Sequence, residues 1–238
     1  MCNFKSGIVV KDECEKGGFR LLMSPWTESH SDLITMHQLN DGKLLHFARV
    51  EFSPDKMENA HLLDKYKLKI DEKRKPEWLD EEMQEKVIAR MTSYLQSIIV
   101  TGDVALLIGG QFIVAPGAKV KCAKSMIINA VCGGTINVVC SGTINEVWGG
   151  TIHKVVCGGN INEAYGGTIN AIWGGTINEV YGGTINEVWG GTINKVYGGT
   201  INEVYGGTIN EINRQFTGMI GPVGKNAIIV KDNRKIKQ

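Results

Sequence analysis

Cys2 is the first residue along this chain that could do chemistry. Loss of Met1 would leave a free amine beside a thiol, the arrangement of N-terminal nucleophile amidohydrolases and of enzymes that crosslink to abasic DNA. Those enzymes follow the cysteine with glycine, where this chain has Asn3, and no triad can be assigned around it. The competing reading is a thiol with no chemical role. Ser29-His30-Ser31-Asp32 is the second group. A His-x-Asp pair, His30 with Asp32, would orient a general base or hold a metal, whereas a Ser-x-Ser-Asp run at a helix start caps the helix and leaves histidine on the surface. Arg49, Glu51 and Trp78 are the residues that would line a small pocket with that pair.

The six cysteines, at 2, 14, 122, 132, 140 and 157, contain no CxxC pair and no zinc-finger histidine spacing. They form neither a disulfide framework nor a common zinc site, and no metal or other cofactor is expected.

The elements that must position these groups are dominated by a repeat. From Ser125 to Asn213 the sequence falls into eleven units of the type GGTINEVY, all octapeptides except the nine-residue GGTIHKVVC. Isoleucine holds one column, from Ile136 to Ile209, and valine a second column three places later. Residues three apart on a plain strand point to opposite faces, so a bend between Asn and Glu is needed to turn both inward. Each Gly-Gly then supplies a corner. One octapeptide spans at most about 26 Å of extended chain, too short a loop to enclose those side chains, so the pattern predicts two units per coil of a β-solenoid. An antiparallel meander is the alternative, but it would mix Ile, Glu and Tyr on one face and leave no clean core. The alternation of Trp173, Trp189 and Tyr205 with Tyr165, Tyr181 and Tyr197 fits two unlike edges, although Trp148 breaks it.

Ahead of the repeat, residues 1–100 read as a small α+β domain. SGIVVKD, FRLLMS, LLHFARVEF and YKLKI are its strands, SHSDLITMHQL is a short helix capped by Ser29 or Ser31, and PEWLDEEMQEKVIARMTSYLQSII is the strongest helix. Residues 101–124 are expected as an irregular cap leading into the solenoid, 125–213 as the solenoid, and 214–238 as a closing strand at Ala227–Lys231 with a basic tail. The whole is mainly β.

The opening MCNFKSGIVVKD, the SHSD at 29–32, FARVEFSP at 47–54 and YKLKIDEKRKPEWLDEE at 66–82 together resemble a family of uncharacterised proteins from phages and gut bacteria. That resemblance covers about the first hundred residues and implies a short N-terminal domain followed by an array of very short repeats. This chain departs from the pattern by extra residues between GIVVKD and SHSD. The resemblance implies phage association and brings no established activity with it.

The 238 residues, 42% of them hydrophobic, suffice for one elongated domain and a smaller globular one. No leader pattern opens the chain and no run approaches the roughly 20 apolar residues of a membrane span, so a cytoplasmic protein is expected, in the bacterial host if phage-encoded. Net charge is +1, yet residues 125–213 carry 2 basic against 6 acidic side chains and residues 214–238 carry 6 against 1. The repeat therefore suggests a binding or structural module. Glu146, Glu163, Glu179 and Glu211 fall on one edge, with Lys195 among them. Like charges so stacked repel, which a binding role would explain. By analogy with gyrase-binding pentapeptide-repeat proteins, such a DNA-like acidic stripe would sit in a basic groove of a host protein. Exposed Trp173, Trp189, Tyr165, Tyr181 and Tyr197 would stack on a partner, and self-association is a further option. Flat Thr-x-Asn arrays also occur in ice- and carbohydrate-binding solenoids, although stacked Asn amides support a coil without any ligand. Arg214, Lys225, Lys231, Arg234, Lys235 and Lys237 could contact nucleic-acid phosphate. In the two-unit coil Cys140 and Cys157 share a column about 4.8 Å apart, where they would pair, share a metal or simply pack. The extra residue of the nine-residue unit is expected to form a bulge that re-aims His153 and Lys154.

Overall fold

The computed structural model of the chain describes residues 5–39 and 46–234. Two units, Met1–Ile98 and Ile99–Gln238, each hold their own core.

In the first unit Lys5–Lys11 (β1), Phe19–Leu22 (β2), Phe47–Pro54 (β3) and Tyr66–Ile70 (β4) form an antiparallel sheet in the order β2-β1-β3-β4. The helix His30–Met36 (α1) lies between β2 and β3 in sequence, and its Leu33 and Ile34 pack with Ile8, Val10 and Phe47. Ser29 is its cap, accepting from the Asp32 backbone N–H at 3.2 Å. Glu81–Ile98 (α2) starts where the Asp80 carboxylate accepts from the Met83 N–H at 2.9 Å. Val87, Met91, Leu95 and Ile98 form its buried stripe, while Ile88 stays on the exposed side. Among the described residues no helix is long and apolar enough to cross a membrane.

The second unit is a β-solenoid. Its strands are Ile99–Val100 (β5), Asp103–Ile108 (β6), Gln111–Val114 (β7), Lys119–Lys124 (β8), Met126–Val131 (β9), Thr135–Val139 (β10) and Gly142–Val147 (β11). Thr151–Val155 (β12), Gly159–Ala164 (β13), Thr168–Ile172 (β14), Thr176–Val180 (β15), Thr184–Val188 (β16), Thr192–Ile220 (β17) and Val223–Asp232 (β18) follow. Odd strands stack on odd and even on even, all parallel, and the two series meet in the long β17. Thr135 pairs with Thr151 and Thr176 with Thr192, a step of two octapeptides. Two units therefore make one coil. Ile and Val of each unit are both buried although three residues apart, so the strand turns between them as its two-column pattern requires.

Residues 101–124 are not an irregular cap. Asp103 pairs with Lys119 and Lys119 with Thr135, so the coil period runs on without the motif, and Val120 and Ala123 occupy the inward columns. At the other end the expected closing strand lies inside β18, which pairs in parallel with Val204–Ile212. The nine-residue unit also differs from expectation. Its register stays intact from Thr151 to Val155, and the extra residue is taken up at the corner, where Cys157 has φ +50°. His153 keeps its place in the asparagine column, its Nδ1 2.8 Å from Asn170 Nδ2.

Candidate functional site

Each octapeptide presents three outward places in fixed relation: Asn, then Glu, then an aromatic two residues beyond the Glu. Because coils stack in register, each column becomes a ladder. The Asn column is a hydrogen-bonded chain in which Nδ2 of each residue donates to Oδ1 of the one a coil before. Asn162 to Asn145, Asn178 to Asn162 and Asn194 to Asn178 run at 3.0, 3.0 and 2.8 Å on the odd side, and Asn186 to Asn170 and Asn202 to Asn186 at 2.9 and 2.8 Å on the even side. Each interior amide thereby donates once and accepts once along its ladder, so the Asn arrays serve the coil itself.

The aromatic columns stack. On the odd side Trp148, Tyr165, Tyr181 and Tyr197 have centroid separations of 4.3, 5.0 and 4.9 Å with ring planes within 12°. Trp148 thus heads the tyrosine series instead of breaking it. On the even side Trp173, Trp189 and Tyr205 stack at 5.7 and 4.2 Å. Trp173 and Trp189 thus stand apart from the tyrosine series, as the alternation predicts, and Glu187 and Glu203 are their neighbouring acids.

Glu146, Glu163 and Glu179 are adjacent in register, as expected. Their repulsion is offset locally. Trp148 Nε1 donates to Glu146 at 2.7 Å, and the hydroxyls of Tyr165 and Tyr181 donate to Glu163 and Glu179. Trp189 and Tyr205 do the same for Glu187 and Glu203. Glu179 also meets Lys195 at 3.9 Å, and Glu211 meets Lys231 at 3.7 Å and Asn233 at 2.8 Å. Burial pushes the Glu146 carboxyl up, the Trp148 bond opposes this, and Glu163 adds to it. The Tyr181 phenol is pushed up to about 12, first by its bond to Glu179 and then by burial. Tyr165 is pushed up too, first by burial and then by Glu163. The acid row is accordingly an internally bonded strip and falls short of a bare line of charge.

The N-terminal candidates separate. His30 is buried, with Nε2 3.1 Å from the Val50 carbonyl and Nδ1 3.4 Å from Asp71, whereas Asp32 accepts from the Thr27 hydroxyl at 2.8 Å. They share a helix turn and form no His-x-Asp pair, because the capping geometry turns Asp32 toward Thr27. Arg49 and Trp78 do line a common cavity of about 1160 Å³, together with Lys69, Lys73, Arg74 and Lys75. Glu51 pairs with Lys69 at 3.2 Å. Cys2 lies outside the described residues, as do Lys235 and Lys237 of the basic tail. Cys140 faces Cys122, Sγ to Sγ 3.6 Å, and Cys157 sits exposed at its corner. Among the described residues no group of three or more His, Cys, Asp or Glu side chains could hold a metal ion.

One buried charge was invisible in the sequence. Lys5 donates to Glu28 at 2.8 Å and to the Ser24 carbonyl at 2.6 Å, and its ammonium lies 5.0 Å from the Tyr94 ring. Burial holds its pKa below the ordinary lysine value, with Glu28 opposing. Glu28 also accepts from the Ser6 N–H at 2.7 Å. With its side chain wholly inaccessible, Lys5 pins the segment of Ser24 and Glu28 to β1. Its strand is buried on both faces, so alternation could not single it out.

No family model matches the chain. Neither curated proteins nor solved structures give a match.

Proposed function

We propose that this protein is a binding module whose solenoid docks a partner macromolecule along its aromatic ladders. The observation that supports the reading is exposed ring surface that folding does not use. The inward Ile and Val columns already close the core, yet Trp173, Trp189, Tyr205 and Tyr181 keep 55, 45, 40 and 39% of their surface in solvent. Rings locked in a stack lose little freedom on binding, which suits them as anchors. With the resemblance to phage proteins, the partner of choice is a protein of a bacterial host, met in its cytoplasm. Mimicry of DNA is the weaker form of this idea, because the carboxylates are bonded to their own aromatics and to Lys195 and Lys231.

The test is affinity capture from host lysate with the full chain and a Trp173→Thr/Trp189→Thr/Tyr205→Thr variant, alongside circular dichroism. Loss of the captured protein with an unchanged spectrum supports docking on the even ladder. Equal capture by the variant refutes it there.

The cavity in the N-terminal unit supports a second reading, recognition of a small anion. Arg49, Lys69, Lys73, Arg74 and Lys75 line it beside Trp78 and outnumber Asp71, Glu72 and Glu77, of which Glu72 is held by Arg49. A thermal-shift screen with nucleoside phosphates should raise the melting temperature of the wild type and leave a Lys73→Ala/Lys75→Ala variant unmoved.

A further inference from the structure

Cys122 and Cys140 belong to different coils, yet their sulfurs lie 3.6 Å apart, and both side chains are half-buried. The approach follows from the coil. Register carries Cys122 through Val138, Lys154 and Ala171 into Glu187 and Glu203, so Cys122 stands in the even Glu column. Cys140 holds the repeat place that Trp173, Trp189 and Tyr205 hold later. These are the two columns whose side chains converge: Trp189 reaches Glu187 at 2.7 Å, and Tyr205 reaches Glu203. Those contacts run within one unit; in the early coils the aromatic place of one coil instead meets the Glu place of the coil before, and the two neighbours are thiols.

We propose that Cys122 and Cys140 form a two-coordinate site for a soft, thiophilic monovalent cation, Cu(I) being the biological one. Three observations select that class. Thiolate sulfur prefers soft ions, and the absence among the described residues of any cluster with three or more His, Cys, Asp or Glu donors leaves zinc or iron without the four ligands they require. Two thiolates around one monovalent ion carry a single net negative charge; in the empty pair the bond to Cys122 and then burial hold the Cys140 thiol above its ordinary value, with Lys124 opposing, so the ion itself must displace the protons. Finally, Cys140 lies beyond the end of β10, so its side chain can swing to fit the ion without disturbing a strand. Binding releases the protons of both thiols and changes no oxidation state.

The test uses the full chain, reduced and under anaerobic conditions, competing for Cu(I) against a chromophoric chelator. One equivalent should be withdrawn from the chelator. Cys122→Ser and Cys140→Ser should each weaken binding at least 100-fold, while a Cys2→Ser/Cys14→Ser/Cys132→Ser/Cys157→Ser variant should bind within 2-fold of the wild type; circular dichroism verifies the fold of each. The proposal is overturned if the wild type withdraws no copper, if either single variant binds as tightly as the wild type, or if the quadruple variant loses the ion. A protein that only closes a Cys122–Cys140 disulfide in air, and takes no Cu(I) when reduced, also overturns it.

Discussion

At the scale of single residues, the bond between each aromatic and the glutamate two places before it changes what both can do. A phenol that donates to a carboxylate gives up its proton reluctantly, and Tyr181 should ionise at about 12. An unfolded tyrosine titrates near 10. The folded-state value is raised, so this contribution to stability is complete below pH 10 and is lost as pH climbs toward 12. Absorbance at 295 nm should show a late tyrosine phase that moves earlier in Glu179→Ala. Glu146 has the opposite consequence at neutral pH. Its folded-state pKa is raised, so its ionised form costs stability once pH exceeds the carboxylate range. Glu146→Gln keeps an acceptor for Trp148 and removes one of the stacked charges. It should stabilise by about 0.5 kcal/mol at pH 7, a gain that fades as pH falls into the ordinary carboxylate range, measured by urea denaturation.

The coil corner and the asparagine ladder are the units that matter at the scale of elements. Gly175 has φ +85°, and a Cβ there would stand 2.0 Å from the Gly159 carbonyl oxygen in the coil below. Gly158 has φ +82° with open space around it. Alanine at Gly158 should therefore cost about 1 kcal/mol, the conformational penalty alone, whereas alanine at Gly175 should cost at least twice that because backbone must move. Urea midpoints of the two variants separate the terms. In the ladder, Asn178 accepts from Asn194 and donates to Asn162. Asn178→Ala strands one donor and one acceptor on its neighbours and should lose about 2 kcal/mol by the same measurement.

For the whole molecule, the two-column core runs from Val100 to Ile212, all of its buried members lying in the second unit. A fragment spanning Ile99–Gln238 should consequently fold with a β-sheet circular dichroism spectrum and, on the proposed function, retain partner capture. The sequence alone determined the solenoid, its two units per coil and its inward columns, because a period of eight with apolar residues three apart admits few ways to bury both. The same Val120 and Ala123 spacing marks the early coils, and Gly109-Gly110 is a corner there too, but the Thr-Ile-Asn motif is missing and the segment reads as irregular. What only the tertiary structure decided was every relation between columns: which acids stand beside which rings, that Trp148 joins the tyrosines, that Asp32 turns away from His30, and that Cys140 meets Cys122. Those depend on side-chain direction at a corner and on register across sixteen or more residues, and a linear pattern records the spacing of side chains without recording where they point.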